Sequence, residues 1–532
     1  MSGMGVHGDT PDRTIDMRIT NCRIWNGETP TPRSLDLLID GGRVLELAEP
    51  NVTIAARETI DLGGGVVTPG LVDAHVHLTL AAETLMHVDL SAVDGREAFE
   101  AAIEAADAVL PPERWLLASG WNETLWPRDG LPDRGWLRAA GSRPVVCWRC
   151  DWHCVLVNDA VLQMLDLDGP LPVGGRIGRS ADGTPSGLLV EAAAWELVNP
   201  LMPPLPEHLR GEAIERAAAC MVGCGITATR SMEYRRDIES HLAQRAATLP
   251  LRLSIVQLDR TLPLERDWHG ILPRTDRFAL TGCKAFFDGT LGSRTAKLCS
   301  PYDDAPDTSG MWLESAIDGS DKRWCREVVD AGLAPVIHAI GDAAVGRAAR
   351  VIRGVPDSLR PTIEHAEVLS PNLLPAIAGL RLSVQPTHRA ADAVMARARL
   401  GDRAGWVLPM RAMADAGARL SFGTDWPIVP VDPIATLRAA MTGEDLGGNP
   451  FFPEQCLSPH EAMLAATVNA SEVCGFDAGL RSGMPADFVL WSGDPLEDIH
   501  TATAQATFVD GTLVGGRLRE GACYDPEPDP RG

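Results

Sequence analysis

The 532-residue sequence contains no run of about 18 uncharged apolar residues, the length that a membrane-spanning helix requires. Its first residues, MSGMGVHGDTPDRTIDM, contain no apolar stretch of the kind found in secretory signals, which predicts an intracellular, cytoplasmic protein. Positive charge is in deficit. The 48 Lys and Arg against 72 Asp and Glu give a formal net charge of −24, which repels phosphate backbones and anionic membrane surfaces at long range. Neither nucleic acid nor a membrane is therefore expected as a partner, and a small-molecule substrate is. The acids form no blocks, so they read as an ordinary solvated surface. Internal repeats and low-complexity tracts are absent, and only the tail after Tyr524 has the composition of a disordered segment. The 12 cysteines have irregular spacing and no disulfide framework. Cys147, Cys150 and Cys154 lie closest together and read as buried thiols in preference to a structural zinc site.

What is present is a globular balance, 45% hydrophobic and 23% charged, in a chain too long for a single compact core. From Met17 to about Ile60, short alternating runs such as MRITNCRIWNG and LDLLIDGGRVLEL are separated by Gly and Asn turn signals, which predicts antiparallel strands. The same texture returns in ADFVLWSGDP and ATFVDGTLVGGRL, so residues 1–68 and 476–532 are expected to build one β domain from both ends of the chain. Between them, apolar runs alternate with helical stretches rich in Ala, Leu, Arg and Glu. Eight strand candidates, VVTPGLVDAHVHL, GITATRS, LRLSIVQL, GCKAFFDG, APVIHAIG, PTIEHAE, RLSVQPTH and RLSFGTDWP, suit a closed (β/α)8 barrel over residues 69–90 and 206–475. The first two are separated by far more chain than a βα connection needs. Residues 91–205 are therefore read as an inserted, Trp-rich subdomain over the barrel mouth.

His75 and His77 end the first strand, where residues i and i+2 point to the same side and two imidazoles converge. Lys284 lies in the fourth strand candidate, His338 ends the fifth, His365 the sixth and Asp425 the eighth. The carboxyl-end rim of such a barrel is where active sites form, so this gathering of four histidines, a lysine and an aspartate reads as chemistry and not as packing.

With TPGLVDAHVHL, DWHCVLVN, GCKAFFDGTLGSRTA, VIHAIGDAAV, IEHAEVLSP, SVQPTH, FGTDWPIVPVDP and GMPADFVLWSGDPL, the sequence resembles amidohydrolase family 3 of the amidohydrolase superfamily, the YtcJ-type branch that includes N-substituted formamide deformylases. The likeness spans nearly the whole chain and is looser in the insert, where DGTPSGLLVEAA is its clearest piece. It implies a barrel plus composite β-sandwich and two divalent metal ions. His75, His77 and Asp425 would hold the first ion, His338 and His365 the second, and Lys284 would bridge both as a CO2-derived carbamate. Nitrogen and oxygen donors suit Zn2+ best, with Mn2+ or Fe2+ also compatible. The implied reaction is hydrolysis of an amide-like C–N bond by a metal-activated hydroxide, with Asp425 moving the proton. Lys284 has a competing reading, an ion pair with Asp288, under which the centre is mononuclear.

Other positions carry weaker signals. His153 and Asn158 are either substrate contacts or packed residues of the insert; Arg294 either holds a substrate carbonyl or carboxylate or pairs with a local acid. His388 is placed at the end of the seventh strand, facing substrate, and Trp426 beside Asp425 as an apolar wall. Asp342 is expected to orient a histidine. Trp115, Trp121, Trp126, Trp136, Trp148 and Trp152 read as a small core, with one or two lining the cleft. The favoured substrate is an N-acyl or N-formyl amine with an apolar substituent. The same centre could instead serve ring deamination, decarboxylation or isomerisation, and a non-catalytic assembly protein on the same fold is a third reading. The sequence leaves the oligomeric state open, a homo-oligomer included.

Overall fold

A computed structural model describes residues 14–50, 52–126, 130–167, 169–203, 205–258 and 262–516; the segment after Tyr524 lies outside them. Eight parallel strands form the central sheet: β1 (Leu71–Val76), β2 (Ile226–Glu233), β3 (Arg252–Leu258), β4 (Phe278–Phe286), β5 (Ala334–Ala339), β6 (Thr362–His365), β7 (Arg381–Val384) and β8 (Arg419–Phe422). They pair strictly in sequence order, as successive βα units dictate. The barrel is closed just beyond β8, where Asp425 N donates to His75 O at 2.7 Å and His77 N donates to Trp426 O at 2.9 Å. Leu71, Ile226, Leu253, Ile337, Ile363, Leu382 and Leu420 join one continuous cluster with helix side chains such as Met221, Val328, Val345 and Met463. Each such burial contributes roughly 1.5–3 kcal/mol.

The run VVTPGLVDAHVHL, expected as one strand, is two. Val66–Pro69 pairs antiparallel with Phe488–Trp491 in a different sheet, and β1 begins at Leu71. Gly70 stands at the break, where a Cβ would lie 2.0 Å from Thr227 Oγ1, so that glycine is the residue that fits. That second sheet runs Thr512–Gly516, Ala504–Val509, Phe488–Trp491, Val66–Pro69, Arg23–Ile24, Arg33–Ser34, and so interleaves both ends of the chain. It packs on a four-stranded sheet of Thr14–Thr20, Asp36–Asp40, Arg43–Ala48 and Ala55–Asp61 through Ile19, Leu37, Ile39, Phe488, Leu490 and Phe508. This is the composite sandwich.

A separate six-stranded sheet begins just ahead of residue 91 with Val88–Asp89 and continues within the insert through Leu116–Trp121, Val145–Arg149, Cys154–Val157 and Pro185–Val190 to Arg176–Arg179. One face buries Phe99, Trp121, Trp126 and Trp136, with the last two rings stacked at 5.4 Å. The other buries Trp148 with Trp115 and Trp152 at its margin. Cys147 and Cys154 are buried free thiols, pushed up in pKa by burial. No helix among the described residues is long and apolar enough to cross a membrane.

Candidate metal centre

The carboxyl-end rim gathers the expected residues. His75 and His77 leave β1 with ring centroids 5.6 Å apart, and both Nε2 atoms lie 3.4 Å from Asp425 Oδ1. Lys284 Nζ reaches His75 Nε2 at 2.9 Å. His338 and His365 are adjacent, at 4.4 Å between rings, and His365 lies 4.9 Å from His75. His365 and Asp425 are both in the left-handed backbone region, with φ of 70° and 61°. Such conformations cost about 1–3 kcal/mol each and cluster where function fixes a side chain.

Gly423 lets this closure form. A Cβ there would meet the His75 backbone N and Cβ at 2.6 Å, so only a bare backbone brings the segment after β8 against the β1 histidine.

His365 Nε2, His388 Nε2 and Asp425 Oδ1 are buried with no hydrogen-bond partner among the described residues. Buried polar atoms are normally satisfied, so three such atoms gathered together fit a metal-binding point. Two groups of donor atoms lie within 4.8 Å of one another: His75, His77, Asp425 and His365, His388, Asp425. Burial pushes the pKa of all four strand histidines down, which keeps their imidazoles in the neutral, ligating form. Burial acts to raise Asp425, but the neighbouring His75, His77 and His365 hold its carboxyl well below the usual range. Neutral imidazoles around an ionised carboxylate fit a divalent cation.

Several positions differ from expectation. Lys284 does not pair with Asp288, whose carboxylate instead accepts the backbone N–H groups of Ile340, Gly341 and Lys297. Burial lowers the Lys284 amine to about 8. His388 does not end a strand: β7 stops at Val384, and His388 lies in the helix Pro386–Ala391, because Pro386 fits a first helical turn and not a central strand. Its imidazole still lies 6.4 Å from that of His365. Arg294 is taken up by Asp304 at 2.8 Å and is not among the side chains lining the cavity. Trp426 packs into the barrel core instead of facing the cavity. Asp342 accepts the backbone N–H of Cys299, not a histidine. Asn158 caps the helix Asp159–Leu162, its Oδ1 accepting from Val161 N.

His153 does face the site, its ring 5.7 Å from His338. Above the centre lies a cavity of about 850 Å3, walled on the insert side by Trp148, Trp152 and Trp195.

Sequence reasoning missed the residues that aim the donors. Glu364 Oε2 accepts from His75 Nδ1 at 2.5 Å, and Glu364 Oε1 accepts from Arg230 at 2.5 Å. Gln385 Oε1 lies 3.0 Å from His365 Nδ1. Asp73 accepts from the backbone N–H of His75 and from Thr424, linking β1 to the turn before Asp425. The available signal was position: Glu364 and Gln385 sit at the same rim as the ligands.

The model of the amidohydrolase family matches residues 58–519. YtcJ of Bacillus subtilis (strain 168) is 29% identical over 483 residues, spanning 86% of this chain and 90% of its own. The N-substituted formamide deformylase of Arthrobacter pascens is 25% identical over 550 residues, spanning 94% of this chain and 98% of its own. The crystal structure of an uncharacterized metal-dependent hydrolase from Pyrococcus horikoshii OT3 matches with a TM-score of 0.69 at 25% identity, over 90% of this chain and 98% of that one.

Proposed function

The chain belongs to the amidohydrolase family, and on that premise we propose that it hydrolyses an amide-like C–N bond in an N-acyl or N-formyl amine bearing an apolar substituent. The observation that carries this reading is the set of buried donor atoms on His365, His388 and Asp425, without hydrogen-bond partners among the described residues, at the floor of an aromatic-walled cavity.

His75, His77 and Asp425 would hold one divalent ion. His338 and His365 would hold a second, with His388 close enough to add a donor. Zn2+ suits these ligands. When bound, the metal supplies a Lewis acid that polarises the acyl oxygen and lowers the pKa of water. Lys284 supports a binuclear form, because burial lowers its amine to about 8 and so eases the loss of the proton that carbamate formation requires. The neutral amine would add to CO2, forming an N–C bond and releasing a proton, and the carbamate would carry one negative charge shared between two oxygens in place of a cation.

Asp425 would take the proton of the attacking water and return it to the departing nitrogen, the two halves of acid–base catalysis. Trp148, Trp152 and Trp195 exclude water and favour an apolar substituent. With Arg294 held by Asp304, nothing at that position favours a substrate carboxylate. The formamide-cleaving name of the Arthrobacter relative agrees with the open-chain amide.

The test compares kcat/KM across N-benzylformamide, N-acyl amino acids, cyclic amides and esters. The highest value is expected for the open-chain amide with an apolar group. Activity confined to cyclic ureides or nucleobases would overturn the substrate assignment.

A further inference from the structure

His388 reaches the rim by a different route from the strand-end histidines. β7 ends at Val384 and the chain turns back at once: Pro386 opens the helix Pro386–Ala391, and His388 N donates to Gln385 O at 3.0 Å. Gln385 Oε1 lies 3.0 Å from His365 Nδ1, so the nitrogen of His365 left for the rim is Nε2. The turn brings the His388 imidazole nearly parallel to that of His365, at 14° and 6.4 Å between centroids. One short segment thus aims one histidine and delivers another beside it.

The donor atoms that meet here are buried and uncommitted. His365, His388 and Asp425 are 3%, 9% and 6% exposed, and His365 Nε2, His388 Nε2 and Asp425 Oδ1 have no hydrogen-bond partner among the described residues. Each of the three side chains offers a ligand atom within 4.8 Å of the other two. His338 differs, because its Nε2 lies 3.3 Å from Gly289 O and it joins no such group among the described residues. Asp425 stands in both groups: Oδ1 lies 3.4 Å from His75 Nε2 and His77 Nε2, and Oδ2 lies 3.9 Å from His365 Nδ1. Packing does not account for His388, since an apolar residue would fill the same space without burying a bare nitrogen. A substrate contact would account for one nitrogen alone, but not for its convergence with a second imidazole and a carboxylate, the donor set of a divalent ion.

We propose that His388 is a metal ligand, and that with His365 and Asp425 it holds the second divalent ion, Asp425 contributing to both positions. The inference rests on the metal-dependent reading of the rim and is independent of which bond the enzyme cleaves. It moves His388, which the sequence turns toward substrate, to the metal. The second ion then has three protein donors before His338 or a modified Lys284 is counted, so its retention does not depend on a carbamate.

The experiment strips the metal and titrates the apo forms of the wild type, His388→Ala and His388→Gln with Zn2+ against a chromogenic chelator. Co2+ absorption spectra and melting of the apo proteins accompany it. The wild type is expected to take two ions. In both variants one site should keep its affinity, and the other should weaken by more than the about 10–100-fold that loss of an outer partner produces. The Co2+ spectrum of the second equivalent should change, and added imidazole should restore part of the lost affinity in His388→Ala. His388→Gln keeps most of the volume and takes the place of His388→Ala if that variant does not fold. Unchanged affinity at both sites of a folded variant would overturn the proposal, and a rise in KM beside it would return His388 to the substrate. If the wild type takes a single ion, survival of that site without His388 overturns the proposal and its weakening supports it. A wild type that binds no divalent ion overturns the metal reading and this inference together.

Discussion

Glu364 accepts a hydrogen bond from His75 at 2.5 Å while also pairing with Arg230 at 2.5 Å, and all three side chains are buried. The carboxylate fixes Nδ1–H of His75, so Nε2 is the atom turned toward Asp425. An outer residue of this kind typically changes metal affinity by about 10–100-fold. Glu364→Gln should weaken metal binding by that amount, measured by competition with a chromogenic chelator. Glu364→Ala should also destabilise the fold by about 3–5 kcal/mol in urea denaturation, because it leaves Arg230 buried without its carboxylate.

Lys284 gives a second prediction. Its Nζ stands 2.9 Å from a candidate metal ligand, a place where an ammonium would repel a divalent ion. Lys284→Ala should lose at least one of two bound ions by elemental analysis, together with nearly all turnover. Short carboxylic acids should restore part of the activity by supplying the missing anionic oxygens. Full metal occupancy in the variant would rule out a bridging role.

Much of this centre was legible because strand periodicity and rim position act on adjacent residues. The two-residue alternation of β1, carried one residue past its end at Val76, brings His75 and His77 to the same site, and the order of βα units carries Lys284, His338, His365 and Asp425 to the same end. The composite sandwich was legible for the same reason, through two-residue periodicity at both ends of the chain. What stayed hidden depends on contacts between distant segments. The pairing of Arg294 with Asp304 depends on a loop path that no local pattern encodes, and Trp426 turns into the core because of the way the 425–426 segment closes the barrel. His388 was misplaced because the apolar run RLSV continues into QPTH without a turn signal, although Pro386 carried the information.

Arg294→Ala follows from that correction. The guanidinium is about one-third exposed and its partner Asp304 also pairs with Arg399, so its removal leaves no buried charge alone. Stability should fall by no more than about 1 kcal/mol and kcat/KM should stay within about twofold of wild type. A large rise in KM would return Arg294 to the substrate.

Gly423→Ala tests the closure of the barrel. The added methyl would lie 2.6 Å from the backbone N and Cβ of His75, and neither neighbour is the free end of a flexible side chain. Overpacking of this kind typically costs about 1–3 kcal/mol, and here the displacement falls on a metal ligand. A lower melting temperature and weaker metal binding are expected together. Loss of stability with metal affinity untouched would mean that the strand moves without carrying His75.

Asp425→Asn separates holding the metal from moving the proton. Asp425 Oδ1 lies 3.4 Å from both His75 Nε2 and His77 Nε2, and surrounding imidazoles keep the carboxyl ionised despite its burial. Asn keeps the shape and one oxygen donor but cannot accept and release a proton. If Asp425 carries out both proton transfers, the variant should retain much of its metal while kcat falls by about 10²–10⁴-fold, the range for loss of an acid–base group. KM should change little, since the cavity walls that receive the substituent are untouched. Elemental analysis alongside steady-state kinetics provides the check. Near-normal kcat in a metal-loaded variant would transfer the proton to another group at the rim, and His388, whose buried Nε2 has no hydrogen-bond partner among the described residues, is the one to substitute next.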